Sequence, residues 1–165
     1  MIKMKLPKIV FSKYDYPSKL LLIGNEDVWN NFCAVVEDLT PEQMSYKHSG
    51  IKQRSIAEIV NHALDCQNSF YTKSLVLGKK YEELKMSLPK TAKKAQKSIV
   101  EVYKRTLEIW EKLDKKDFQK EIKTEWGQVL TGELALFQSV THTAYHLSEI
   151  CFLRGLGGFP TNVMG

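Results

Sequence analysis

The chain has 165 residues, of which 43% are hydrophobic and 26% charged, with a formal net charge of +5 at pH 7. This composition is typical of a globular domain with a sizeable core, and it excludes a disordered chain. The three cysteines are far apart and form no CxxC pair, so a disulfide framework and a thiolate zinc site are both disfavoured. A reducing cytoplasm is therefore the predicted compartment.

Charge and hydropathy also narrow the classes of partner that the chain is expected to bind. No apolar run is long enough to predict a membrane span, and the N-terminal segment does not follow the pattern of a signal peptide. Residues 79–123 carry 14 Lys and Arg against 8 Asp and Glu. Because the acids are interleaved with the bases, this pattern favours solvated helix faces over a nucleic-acid surface. A small-molecule substrate is the expected partner.

The first helix is predicted from about Ser18 to Asp38, with Pro17 in its first turn and an N-terminal arm anchored by Val10 and Phe11 before it. Its predicted apolar face consists of Leu21, Val28, Phe32, Val35 and Leu39, with Trp29 beside it. Residues 40–54 form a connector in which Thr40-Pro41-Glu42-Gln43 predicts one short helical turn. His48 lies in this polar connector and is predicted to be exposed rather than a ligand.

The second helix has a clear predicted start, because Ser55-Ile56-Ala57-Glu58 has the pattern of a capping box. Gly78 is predicted to end this helix. The predicted core face consists of Ile56, Ile59, Val60, Ala63, Phe70 and Leu77. His62 lies in the middle of the helix.

A basic, partly helical link over residues 79–90 is predicted to lead into a third helix from about Thr91 to Leu113. The apolar face of that helix consists of Ala92, Ala95, Ile99, Val102, Tyr103, Ile109 and Leu113. Residues 114–130 form a polar connector with a loosely alternating piece from Phe118 to Lys123. This piece predicts a strand-like hairpin over the bundle end, with its turn at Gly127 and Trp126 packed beneath.

The fourth helix is predicted from Thr131, as its cap, to Arg154, before a turn-rich tail in which Phe159-Pro160 folds back. It is apolar nearly all the way round, which predicts a buried helix. Four long helices together predict an all-α four-helix bundle formed by a single domain over residues 1–165.

Two histidines of the fourth helix, His142 and His146, are four residues apart and leave the same face one turn apart. Glu149 falls on that face as well. Buried titratable groups need partners, and a metal ion is one partner that would satisfy two imidazoles together. By itself the His-x3-His pair is equally compatible with a structural core.

Known metal motifs narrow the alternatives. Thr143 stands where the metalloprotease motif HExxH needs glutamate, and the Glu-x-x-His spacing of di-iron bundles does not occur. A mononuclear site with a third ligand from another helix remains, and His62 is the one mid-helix histidine left to supply that ligand.

Three segments, SIAEIVNH (55–62), THTAYHLSEI (141–150) and LRGLGGFP (153–160), together resemble the DinB/YfiT-like superfamily of metal-binding four-helix bundles. The resemblance covers essentially the whole chain. It implies that His62, His142 and His146 hold one divalent ion, zinc or nickel, with open positions facing a pocket, and it implies a homodimer. One departure is that Ser148-Glu149 stands where many members carry Gly-Gln.

The resemblance implies a metal-dependent enzyme, and the leading expectation is a transferase that uses a bacillithiol- or glutathione-like thiol on electrophilic small molecules. A metal-dependent hydrolase is the second interpretation, and a non-catalytic bundle with a structural metal or a partner-binding role is the third. Glu149 is expected first to accept a hydrogen bond from a histidine, and otherwise to serve as general base or fourth ligand. Tyr145 is interpreted as a core aromatic residue and Cys66 as a small buried one.

Overall fold

The computed structural model describes residues 16–50, 52–124 and 127–159, and four long helices dominate this part of the chain. The helices are α1 (Tyr16–Ala34), the short α2 (Pro41–Met44), α3 (Ile56–Asp65), α4 (Ala92–Trp110), the short α5 (Lys115–Gln119) and α6 (Gly132–Leu156). Residues Cys66–Val76 continue α3 as a π-helix, here called the π-helical segment. Strands β1 (Glu121–Lys123) and β2 (Val129–Thr131) form an antiparallel hairpin. The predicted all-α four-helix bundle with a strand-like connector is confirmed.

The packing order of the bundle sets the position of the histidines. Helix α6 packs against both α1 and α3, and α4 also packs against α1 and α3. The inward side chains of α3 and α6 therefore meet along one seam, and His62 and the histidine pair lie on those two helices. Within residues 16–50, 52–124 and 127–159, no helix has both the length and the hydropathy that a membrane span requires.

The buried face of α1 agrees only in part with the predicted one. Phe32, Val35 and Leu39 are buried as predicted, whereas Leu21 and Val28 are only partly buried and Leu22, Asn25 and Trp29 are fully buried instead. Trp29 lies at the centre of this face, with its ring stacked on that of Tyr103 at a centroid distance of 5.4 Å. The large volume of this indole sets the rotation of the helix about its axis. Helix α1 ends at Ala34, four residues before the predicted end.

Local capping explains where the second long helix begins. The backbone N–H of Ser55 donates to Glu58 Oε2 at 2.6 Å, and the N–H of Glu58 donates to Ser55 Oγ at 3.3 Å, so the predicted capping box is confirmed. The same reciprocal pattern between Thr40 and Gln43 starts α2 where a short turn is predicted. Gly78, with a φ of +64°, follows the last turn of the π-helical segment.

The link over residues 79–90 contains no helix, so the prediction that it is partly helical is wrong. Its contacts explain the extended path. Asp65, at the end of α3, accepts hydrogen bonds from the Tyr81 hydroxyl at 2.7 Å and from the Leu84 backbone N–H at 2.5 Å. The backbone N–H of Leu84 therefore donates to a side chain of α3 and not to a carbonyl within a helix of its own. Helix α4 then ends at Trp110, three residues before the predicted Leu113.

The hairpin covers the end of the bundle, as predicted. Ile122 pairs with Leu130, and both side chains are buried against Tyr71 and Ala135. Gly127 supplies the turn with a φ of +84°, a conformation that favours glycine. The predicted packing of Trp126 lies outside the described residues, as do the predicted arm at Val10 and Phe11, and Pro160.

Helix α6 begins at the predicted cap, because Thr131 Oγ1 accepts from the Leu134 N–H at 3.2 Å, and it continues to Leu156. The prediction that this helix is buried all round is wrong. Its outer side carries exposed apolar side chains at Leu134, Phe137, Tyr145, Phe152 and Leu156. Beyond the helix, the ring of Phe159 folds back against Tyr46 at a centroid distance of 5.1 Å.

Near its end, α6 buries a charge instead of an apolar residue. The Arg154 guanidinium donates to both carboxylate oxygens of Asp38, at 2.8 and 2.9 Å, and to the carbonyl of Val35 at 2.9 Å. This arginine is almost fully buried. It therefore ties the end of α6 to the turn that follows α1.

Candidate metal centre

Three histidines meet on the seam between α3 and α6. The ring centroid of His62 lies 5.6 Å from that of His142 and 4.9 Å from that of His146, and the latter two are 4.5 Å apart. One ring nitrogen from each residue can be chosen so that all three lie within 4.8 Å of one another. The structure thus brings together the three residues that the sequence predicts as ligands, and their coordination of an ion stays a prediction.

The separation of the donor atoms suits a small divalent ion. His142 Nε2 and His146 Nε2 are 3.3 Å apart. Two imidazole nitrogens that are each about 2.0–2.1 Å from a tetrahedral zinc ion stand about 3.3 Å apart. The pair on α6 therefore already has the spacing of two ligands of one ion, and the donor set of neutral imidazoles fits zinc and nickel alike.

Glu149 fixes the orientation of one of these rings. Its Oε2 lies 2.8 Å from His146 Nδ1, one turn further along α6. When Nδ1 donates its proton to this carboxylate, the lone pair of the neutral ring is on Nε2, the atom that faces His142. The contact is the one that an accepting role for Glu149 requires.

Burial favours the neutral form of two of the imidazoles. The pKa of His142 is lowered to about 4, first because burial penalises the charged ring and then because His146, His62 and Arg54 lie nearby. Burial, followed by the charge of Arg54, also lowers the pKa of His62. Neutral imidazole is the form that binds a metal, so both rings are ready to bind one at neutral pH.

The thiol of Cys66 lies beside His62 without joining the cluster. Its Sγ is 3.8 Å from His62 Nδ1 and 3.7 Å from His62 Nε2. Burial, reinforced by the charge of Asp65, raises the pKa of this thiol to about 11, so it stays protonated. Cys66 is half-buried and fills space next to the ring, in line with its interpretation as a small packing residue.

A buried polar bridge joins the two histidine-bearing helices one turn away from the cluster. The Ser139 hydroxyl donates to Gln67 Oε1, and Gln67 Nε2 lies 3.4 Å from Thr72 Oγ1. Ser139 precedes His142 by three residues on α6, and Gln67 belongs to the π-helical segment. The sequence reasoning missed this bridge, although the three consecutive polar residues at 67–69 in a predicted core helix were a signal for it.

The cluster opens onto a cavity of about 590 Å³. Its walls come mainly from α6, and the lining residues are His62, His142, Tyr145, His146, Ser148, Glu149 and Phe152. The interpretation of Tyr145 as a core aromatic is wrong, because its ring is largely exposed at this cavity. Phe152 is a lining residue that the sequence reasoning missed, and its spacing of seven residues from Tyr145 was the available signal. His48 contacts Tyr46 in the connector and is not part of the cluster.

Comparison with solved structures shows similarity to YfiT from Bacillus subtilis, which is described as a probable metal-dependent hydrolase with an unusual four-helix bundle topology. The two chains share 19% sequence identity, the match covers 96% of this chain and 97% of that one, and the TM-score is 0.68. Comparison with curated protein sequences gives no match. The family model described as the DinB superfamily matches residues 25–150, a range that contains all three clustered histidines and Glu149. The chain belongs to the DinB superfamily.

Proposed function

We propose that the chain is a metal-dependent enzyme in which His62, His142 and His146 hold one divalent ion, zinc or nickel, and that hydrolysis is its leading reaction. The observation that carries the proposal is the convergence of three imidazole nitrogens within 4.8 Å at the wall of an open cavity. Structural metal sites are closed by four protein ligands, whereas catalytic ones leave a position for water or substrate. Three ligands beside a cavity support the catalytic kind.

A divalent ion held by three neutral imidazoles keeps its full charge, so it would act as a Lewis acid and lower the pKa of water or of a thiol. The protein's own residues orient the site. Glu149 holds His146 by its Nδ1–H and so keeps Nε2 available. The Gln67–Ser139 bridge fixes α6 against the π-helical segment one turn before His142. Both contacts limit the motion of the ligand rings.

Hydrolysis comes first because of a structural similarity, and the lining of the cavity assigns water activation to the ion. The similar structure YfiT is described as a probable metal-dependent hydrolase. Of the described residues that line the cavity, Glu149 alone carries a carboxylate, and this carboxylate is bonded to His146. Water activation at this site is therefore better assigned to an ion than to a free carboxylate base.

Transfer of a low-molecular-weight thiol, such as bacillithiol or glutathione, is the second candidate. The observation that favours it is the size of the cavity, because about 590 Å³ lies within the range of pockets that hold drug-sized ligands. A space of this size accommodates more than a water molecule and a small acyl group. A thiol cosubstrate would then be expected beside the electrophile.

Metal analysis of the purified protein tests the site. We expect about one zinc or nickel ion per chain in the wild type and its loss in His142→Ala. His48→Ala is the matched control, because this histidine lies outside the cluster and should leave the metal content unchanged. Equal metal content in His142→Ala and the wild type would contradict the proposed site. A wild type that binds no metal after incubation with zinc or nickel would contradict it as well.

The reaction needs a second measurement on metal-loaded protein. Chromogenic esters and amides, and a model electrophile, are assayed without thiol and with bacillithiol, glutathione or coenzyme A. Turnover of esters or amides without thiol supports hydrolysis, and turnover of the electrophile that depends on one thiol supports transfer. No turnover above that of the metal-stripped protein in any arm would contradict both candidates and favour a structural metal.

A further inference from the structure

Two exposed aromatic side chains form one wall of the cavity beside the histidines. Tyr145 is 76% exposed and Phe152 is 57% exposed, although both line the cavity. They are seven residues apart on α6, so they lie on one side of the helix about 10 Å apart along its axis. The removal of large aromatic groups from water by a partner is energetically favourable. The wall therefore offers apolar contact area that the folded chain itself leaves unused.

The histidine end of the cavity has a different character. It consists of the three imidazoles and of Glu149, whose carboxylate contacts His146. With a divalent ion in place, this end carries net positive charge, because the charge of the ion exceeds that of the single carboxylate of Glu149. One cavity thus joins a positive end to an aromatic wall.

Resting on the proposed function, we propose that this site takes amphipathic substrates with a small anionic, metal-binding group and a flat apolar body that packs against Tyr145 and Phe152. The anionic group meets the histidine end, and the body covers the two rings. Such a ligand satisfies both halves of the cavity at once. A compact polar substrate would leave the aromatic wall in water.

The other apolar residues of the outer side of α6 allow a competing occupant to be tested. Phe137 is 49% exposed on the same helix but does not line the cavity. If a second copy of the chain covered this side of the helix, substitutions at Phe137 and Phe152 should act alike. If a ligand covers the wall, only Phe152 should matter for binding.

The test uses two hydroxamates that share one anionic chelating group, benzohydroxamate and acetohydroxamate, with the dissociation constants measured by calorimetry on metal-loaded protein. We expect benzohydroxamate to bind about tenfold more tightly to the wild type. Phe152→Ala and Tyr145→Ala should each reduce this preference by about three- to tenfold and leave acetohydroxamate binding unchanged. Phe137→Ala, the matched control, should keep the wild-type preference. The change in the ratio between variants cancels the intrinsic affinity of each hydroxamate for the ion.

Each outcome separates the two proposals. Metal binding together with equal affinity for the two hydroxamates, or a preference that Phe152→Ala does not reduce, would overturn the aromatic substrate class and leave the metal site standing. If Phe137→Ala and Phe152→Ala both dissociate a dimer in sedimentation and neither changes the preference, the wall is an interface between copies and the inference is wrong. A chain that takes up no ion would overturn the proposed function and this inference with it.

Discussion

Removal of the Glu149 carboxylate should weaken metal binding without unfolding the protein. Its Oε2 is 2.8 Å from His146 Nδ1, and it is partly exposed at the cavity wall. Loss of an acceptor that orients a ligating histidine costs 10- to 100-fold in metal affinity in known sites, which corresponds to about 1.4–2.8 kcal/mol. We expect Glu149→Ala to fall within this range, and Glu149→Gln to lie at its lower end because the amide oxygen still accepts the hydrogen bond.

The assay is a competition for zinc between the protein and a chromophoric chelator at fixed pH. Ser148→Ala is the matched control, because this neighbouring residue also lines the cavity while its hydroxyl bonds the carbonyl of Ala144 within the helix. An unchanged zinc affinity in Glu149→Ala would refute the orienting role. A loss of zinc affinity well beyond a thousandfold would also contradict the orienting role, because it would indicate that Glu149 is itself a ligand.

Three further predictions concern stability. Arg154→Met should lower the free energy of unfolding by about 2–4 kcal/mol in urea titrations, because it removes three buried or partly buried hydrogen bonds from one guanidinium. Thermal melts should show opposite signs at two glycines of α6. Gly132→Ala should destabilise by about 1–3 kcal/mol because its Cβ would meet neighbouring backbone, whereas Gly155→Ala, in open space, should stabilise by about 0.4–1 kcal/mol. Glu58 has a pKa lowered to about 2, chiefly by its hydrogen bond with Lys47. Its contribution to stability is complete above about pH 4.5 and is lost as the pH falls through 2, so Glu58→Gln should flatten the acid limb of stability against pH.

Features that depend on neighbouring residues in the chain could be predicted well. The capping box at Ser55 and Glu58 and the cap at Thr131 follow from side chains next to the backbone groups they satisfy, and the stop at Gly78 follows from the positive φ that glycine adopts readily. The histidine pair on α6 is equally local, because four residues make about one turn of any α-helix. Placement of His62 opposite the pair needed only the expectation that mid-bundle positions of adjacent helices face each other.

The choice of which face of a helix is buried could not be predicted from the sequence. On α1 the spacing of Leu21 and Val28 was regular, but the larger area of Trp29 determined which side is buried. On α6 an apolar composition does not specify how much of the surface the other helices cover. Helices α1 and α3, with the π-helical segment, cover only part of its circumference, so residues such as Tyr145 and Phe152 stay in water at the cavity.

Four of the six residues predicted for the core face of the second long helix, Ile56, Ile59, Val60 and Ala63, are fully buried, and the π-helical segment accounts for the partial burial of the other two. A helical period of 3.6 places Phe70 and Leu77 inward, but in the π-helical segment, where backbone hydrogen bonds span five residues, the buried residues are Gln67, Asn68, Ser69, Tyr71, Thr72 and Val76. The Thr72 hydroxyl donates to the Gln67 carbonyl at 2.6 Å, across that same interval. The wider turn begins at Cys66, directly after the turn that carries His62, and brings the Gln67 amide to Ser139 on α6. Because the spacing of the side chains does not signal this change of period, the partner of Gln67 on α6 became visible only in the structure.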